Sequence, residues 1–568
     1  MLNRRDFMSV AVATAAVAGT GSLRALAQGQ KITEADLLRF TPKGQVTILH
    51  MTDCHAQLMP VYFREPSINI GVGEAKGLPP HLTGKEFLSH FNVKPGSHAA
   101  YALCSEDFAA LAKEYGKVGG MDRMARLVKA IRAERGDNRV LMLDGGDTLH
   151  GSYTALQSKG ADMARVIEAL GVEATTGHWE FTLGDKRITE LFGDKEKGGT
   201  CKTTFLAGNI VDDEFQEPVF KAYKIFEKGG VKIGVVGQAF PFTPIANPRW
   251  MIPKWSFGIR EKTVRENVEA ARKAGAEIIV LLSHNGFDVD RKLVSRVEGI
   301  DVVLTGHTHD AMPAAIKVGN TLMIATGSST KFLSRLDLDV KGGKIADYTY
   351  SLIPVLADAI TPDADMAKLI GEIRAPHEAM LATSLATTES LLYRRGNFNG
   401  SFDDLICEAL LSERDAEIAL SPGFRWGGSL LPGQAITWDD IYTATGMTYP
   451  NVYRMTMKGS QLKDVLEDVC DNLFNKDPYY QQGGDMVRVG GMGFSVDVNG
   501  EIGKRITEMT HLKSGKPIDA AKDYVVAGWA SINQNTEGPP IWDVVANHLK
   551  KVKTVKLAPN TAVKVVGG

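Results

Sequence analysis

Val46-Thr47-Ile48-Leu49-His50-Met51, followed at once by Thr52-Asp53-Cys54-His55, sets a pattern that the first half of the chain repeats. The run is mostly apolar on both of its faces, which marks a strand covered on both sides rather than a half-exposed one. The same reading applies to Val140–Leu143, Ile233–Val236, Ile278–Leu282, Val302–Leu304 and Leu322–Ala325. Between these runs the apolar residues recur at helical spacing, as in Met121 to Glu134 and Glu261 to Ala274. Strands alternating with amphipathic helices predict an α/β fold.

The residues just past these strands are chemically loaded. Asp53-Cys54-His55 comes after the first and Gly145-Gly146-Asp147 after the second. Further on come Gly177-His178-Trp179-Glu180, then Ser283-His284-Asn285, then Gly306-His307-Thr308-His309. Ligands of open α/β sheets gather outside the carboxyl ends of strands, so two carboxylates and five histidines are expected to share one crevice. Glycines beside Asp147 and His307 let backbone come close to an ion. Seven oxygen and nitrogen donors exceed the roughly four that one zinc takes. They suit two divalent ions about 3.5–4 Å apart that share a carboxylate. Asp147, central in the order, is the expected bridge. Mixed carboxylate and imidazole ligation admits manganese, zinc or iron.

The other features bound the problem. A chain of 568 residues has room for several domains and a sizeable core. With 65 basic and 67 acidic side chains, nothing favours nucleic acid or a membrane surface as partner. Arg4-Arg5 before a weakly apolar, alanine-rich stretch, ending near Ala25-Leu26-Ala27, predicts a twin-arginine export signal over residues 1–27 and a periplasmic location. No second apolar segment is long enough to span a bilayer, so no stable membrane insertion is expected. The five cysteines form no CxxC pair and no disulfide scaffold. Cys54, between two ligands, is expected to face away from the ions.

The motifs DCH, GGD, GHWEFT, LLSHNG and GHTH resemble those of the calcineurin-like metallophosphoesterases in their 5'-nucleotidase branch. The likeness continues through Ser421-Pro422-Gly423-Phe424-Arg425, Leu431-Pro432-Gly433 and Ile436 to Tyr442. It implies an N-terminal four-layer β-sandwich flanked by helices over about 40–355, with an insertion near 59–115. A linker helix over 356–382 and a smaller α/β nucleotidase-type domain over 383–568 would complete the chain. One ion would fall to Asp53, His55, Asp147 and His309, and the other to Asp147, His178, His284 and His307.

Two departures narrow the resemblance. The nucleotidases carry Asn-His where this chain has His178-Trp179, and their Gly-Gly-Asp-Gly loop has no match in Trp529 to Asn535. Together with the export signal and the long insertion, these changes are similar to the SoxB family of thiosulfohydrolases. That family implies two manganese ions and a thiosulfonate substrate held on a cysteine of the SoxYZ carrier, from which water releases sulfate. Asp147, His178 and Trp179 are then the candidate catalytic positions. Arg425 and Asn285 are candidate substrate contacts, Arg425 because its planar fork suits sulfonate oxygens. Glu180 is expected to support a ligand histidine through a hydrogen bond. The rival expectations are an exported 5'-nucleotidase or 2',3'-cyclic phosphodiesterase, and a non-catalytic, metal-containing subunit that docks a carrier.

Overall fold

The computed structural model describes residues 32–193 and 199–566. The expected export signal lies outside them. The described residues form two compact units. Unit 1 holds the residues up to Val61, Gly84–His150 and Gln157–Arg374, and unit 2 holds Tyr62–Thr83, Gly151–Leu156 and the chain from Ala375. The stretch expected as an insertion is therefore divided, with Tyr62–Thr83 grouped in unit 2.

Unit 1 contains two six-stranded mixed sheets. The first uses β1 (Val46–Met51), β2 (Val140–Asp144), β3 (Ala174–Thr175) and β4 (Thr204–Phe205). The second uses β5 (Tyr223–Lys228), β6 (Val231–Gln238), β7 (Ile278–Ser283), β8 (Val302–Thr305), β9 (Ile316–Val318) and β10 (Thr321–Ala325). The hairpin β11 (Phe332–Lys341) and β12 (Lys344–Pro354) returns to complete the first sheet beside β1. In the first sheet β1 to β4 run parallel, and in the second so do β6, β7, β8 and β10. Their carboxyl ends therefore open on the same edge of each sheet.

The sequence pattern explains the layering. Every residue of β1, β2, β7 and β8 is buried. Each buried Ile, Leu or Val there contributes about 1.5–3 kcal/mol relative to an exposed one. Helices Met121–Arg135 and Glu261–Lys273 present apolar faces to the sheets and end at Gly136 and Ala274. The expected linker helix is broken: Ala364–Arg374 and Glu378–Leu381 are separate, with Pro376 between them. Proline lacks the amide hydrogen that a continuous helix needs there.

Unit 2 is α/β as well. A four-stranded sheet of Val452–Lys458, Asp523–Trp529, Ile418–Gly423 and Asp485–Gly490 is covered by helices Ser401–Glu413 and Gly459–Phe474. Its core packs Ile418, Leu466, Met486, Phe494 and Val526, each with at most 1% of its surface exposed. None of the helices among the described residues is long and apolar enough to cross a membrane.

Candidate metal centre

The loops that leave β1 and β2 continue to pair after the strands end. Asp53 N–H donates to Gly146 O at 2.8 Å, and His55 N–H to Asp147 O at 2.7 Å. To do so the backbone turns left-handed at Asp53, His55 and Asp147, and again at His307 and His309, with φ between 46° and 73°. Non-glycine residues rarely adopt this conformation, and it gathers where a site fixes side chains against backbone preference. Gly306 has a different reason to be glycine. A Cβ there would lie 2.6 Å from Thr52 Oγ1 and 2.9 Å from His284 Nδ1.

These turns bring all seven predicted donors together. Asp53, His55, Asp147 and His309 offer atoms within 4.8 Å of one another, and so do Asp147, His178, His284 and His307. All are buried, and Asp147 belongs to both groups. In the first group His309 Nε2 lies 3.2 Å from Asp53 Oδ1, and the Nε2 atoms of His55 and His309 are 3.1 Å apart. That is the spacing of neighbouring donors on one cation with bonds of about 2.1 Å. In the second, His178 Nδ1 and His284 Nε2 lie 3.3 and 3.1 Å from Asp147 Oδ2. Cys54 belongs to neither group. Its buried thiol faces the carbonyl of Thr52, and burial pushes its pKa up.

His284 shows that the cradle fits cations. Its Nδ1 is 2.6 Å from Gly145 O, which can only accept, so Nδ1 carries the proton. Nε2 then faces Asp147 Oδ2 and Asp53 Oδ1, off the line of a hydrogen bond. Burial works to lower this imidazole, but Asp147 and then Asp53 outweigh it and push it up to about 10. The site thus demands positive charge at that atom, and a divalent ion meets the demand for several donors at once. Burial pulls His55 down to about 3, leaving it the neutral imidazole that a metal requires. Burial works to raise Asp147, but His178 and His284 hold it well below the carboxylate range.

Three further carboxylates set the loops without joining either group. Glu180 Oε1 accepts from the backbone N–H of Thr148 and Leu149, and Oε2 from those of Asp147 and His178. The expected support for a ligand histidine thus reaches the main chain of His178, not its ring. Asp144 accepts the hydroxyls of Thr148 and Thr175, and burial pushes it up to about 8. Asp290 ties the ends of β7 and β8 through Ser283, Asn285 and Thr305. Asp144 and Asp290 carried no sequence signal beyond their nearness to the motifs. The Trp179 backbone N–H donates to Asp147 Oδ1 at 2.8 Å, and its ring lies 5.4 Å from that of His178. Asn285 is buried and gives its side-chain N–H to Asp290. Arg425 is half-buried in unit 2, where its guanidinium donates to Gly484 O and lies 3.7 Å from Asp485.

Comparison with known proteins settles the family. The calcineurin-like phosphoesterase family matches residues 46–311, and the C-terminal domain family of 5'-nucleotidases matches 383–545. A solved Thermus thermophilus structure, the sulfate thiohydrolase SoxB in complex with glycerol, is 37% identical, with a TM-score of 0.88 over 93% of this chain and 98% of that one. The chain belongs to the 5'-nucleotidase branch of the calcineurin-like metallophosphoesterases. A 5'-nucleotidase precursor, also from Thermus thermophilus, shares the fold at 20% identity, with a TM-score of 0.71 over 92% of this chain and all of that one. The 5'-nucleotidase of Bos taurus is 23% identical over 72% of this chain and 76% of its own length. Membership of this metallophosphoesterase branch and the two donor groups make the protein a metal-dependent hydrolase whose site takes two divalent cations.

Proposed function

We propose that this protein is a periplasmic thiosulfohydrolase of a sulfur-oxidising (Sox) system. It would release sulfate from a thiosulfonate on the carrier cysteine of SoxYZ, after export by the twin-arginine route. The observation that carries this reading is the indole at Trp179. It stands beside Asp147, the carboxylate common to both donor groups, where the nucleotidases keep a proton-donating histidine, in a chain 37% identical to a sulfate thiohydrolase.

The chemistry balances without a proton donor at that place. Water adds its oxygen to the sulfone sulfur and loses its protons to solvent, the bond from that sulfur to the sulfane sulfur breaks, and sulfate leaves. The electron pair of the broken bond stays on the carrier as a persulfide. A persulfide is a far weaker base than the alkoxide expelled from a phosphate monoester, so it departs without help from a general acid. Bound divalent cations, with manganese as the expected pair, supply Lewis-acid polarisation and activation of water here. Asp147, common to both donor groups, would help hold both cations, and the Trp179 N–H fixes one of its oxygens. Glu180 holds the Asp147 and His178 loops in register. Arg425 is the proposed grip on the anionic end of the substrate, and Asn285 a further contact.

The 5'-nucleotidase reading has its own support in the relatives at 23% identity. One assay separates the two. Sulfate release from a thiosulfonate-loaded carrier cysteine is measured beside phosphate release from AMP, with metal content determined on the same sample. Sulfate release with two metals per chain is expected. Phosphate release from AMP without sulfate release would overturn the proposal, and turnover of neither by the two-metal protein would favour a carrier-docking subunit.

A further inference from the structure

His150 belongs to none of the sequence motifs, and neither donor group includes it. It lies three residues beyond Asp147 and is 4% exposed. Its ring stacks on the indole of Trp179, with centroids 4.7 Å apart and planes 12° from parallel. It also meets His55, in a T-shaped contact at 5.9 Å and 73°. Trp179 in turn lies against His178. His55 belongs to one donor group and His178 to the other, so the stacked pair touches a histidine of each. It does so alongside Asp147, which the Trp179 N–H holds.

A stack fixes the plane of an imidazole and leaves its edge to act. In either neutral tautomer that edge carries one N–H donor. A tetrahedral oxyanion brings more oxygens to a two-cation site than two cations occupy, and donors fixed in advance are the ones that hold such charge well. We propose that His150 is an oxyanion-binding residue: its ring N–H, aimed by the Trp179 stack, donates to an oxygen of the tetrahedral sulfur or phosphorus group lying across the two ion positions. This deepens the function proposed above and rests on its two-cation centre, but it does not depend on which central atom the substrate carries.

The test uses the metal-loaded full chain and inorganic sulfate and phosphate as probes, with affinity read by calorimetry and metal content measured on each sample. His150→Phe keeps a flat ring against Trp179 and removes the N–H, while His150→Gln keeps a donor. With two metals per chain throughout, His150→Phe should bind both anions at least about tenfold more weakly, the lower end of the worth of one hydrogen bond to a charged group. His150→Gln should stay within about threefold of wild type, since it keeps that donor. His150→Leu gives a second donor-free variant should the phenylalanine not be accommodated. Unchanged anion affinity in the donor-free variants would overturn the proposal. So would loss of metal in step with affinity, because that marks a purely structural ring. Should thiosulfonate hydrolysis be absent while anion binding still depends on His150, the function proposed above fails and this inference stands.

Discussion

Each unit buries a knot of charge, and the two knots are built on opposite principles. In unit 2, Arg394 donates to Asp403 through Nε and Nη2 at 3.0 and 2.8 Å, and Arg488 Nη2 meets Asp485 at 3.1 Å. Arg488 also reaches Asp403, at 3.4 Å, and the carbonyl of Gly396. Carboxylates and guanidiniums from one chain neutralise each other in fixed geometry. In unit 1, Asp53 and Asp147 are instead ringed by imidazoles: their ion-pair partners are His55, His178, His284 and His309. Buried charge must be paired, so the first knot draws its counter-charge from the chain's own arginines and the second takes its counter-charge as cations.

Asp147→Asn attacks the second knot at the one residue its halves share, and carries the largest expected effect. Turnover should fall by at least about a thousandfold, the scale expected when a unit acting in concert loses a member. Metal content should fall below two per chain by mass spectrometry, while circular dichroism stays near wild type. Full metal content with full turnover would show that Asp147 is no bridge. Asp403→Asn strikes the first knot and should do the reverse. Breaking a buried pair destabilises by about 3–5 kcal/mol, because an arginine is left unpaired. A lower urea midpoint with both metals retained is the expected result, and loss of metal from this variant would erase the distinction between the knots.

The contrast also explains how far the sequence could be read. The strand Val46–Met51 was legible because burial on both faces leaves its apolar run unbroken. The seven donors were legible because parallel strands deliver their next residues to one edge. Left-handed backbone at five of them was not, since it arises from pairing between loops distant in sequence. Arg425 faces Asp485, sixty residues on, and no local pattern marks such a partner. Glu180 was singled out, but its partners are backbone amides, and those depend on how two loops meet. His150 was missed because a stack against Trp179 leaves no spacing signature.

Asp404, next to Asp403 on helix Ser401–Glu413, offers a smaller test of the self-neutralised knot. Burial pushes its carboxyl up to about 6, with Asp403 adding to the rise against the amide of Asn560. Its folded value thus exceeds the ordinary 3.8, so the folded chain holds a proton that the unfolded chain releases first. Its contribution to stability is therefore full below about pH 4 and is lost as pH rises through about 6. The total is at most about 3 kcal/mol. Asp404→Asn keeps an acceptor for Asn560 and removes the titration. The melting temperature of the variant relative to wild type should therefore rise between pH 4 and pH 6 and level off above. A flat difference would show that Asp404 holds no extra proton in the folded chain.

The smallest expected change returns to the centre that takes cations. If its work on the substrate is done by cations and fixed donors, a titratable group added at position 179 has little to contribute. Trp179→His restores the imidazole that the nucleotidases carry, keeps the backbone N–H on Asp147, and leaves a flat ring for His150. Thiosulfonate turnover should then stay within about threefold, because a persulfide leaves as an anion and a proton donor relieves no barrier. A tenfold gain would mean that proton donation limits the wild-type reaction, and the indole could no longer be read as a sign of the leaving group. Phosphate release from AMP in the same variant sharpens the point. An alkoxide does need the proton, so a gain confined to AMP would place the choice between sulfur and phosphorus chemistry on this one side chain.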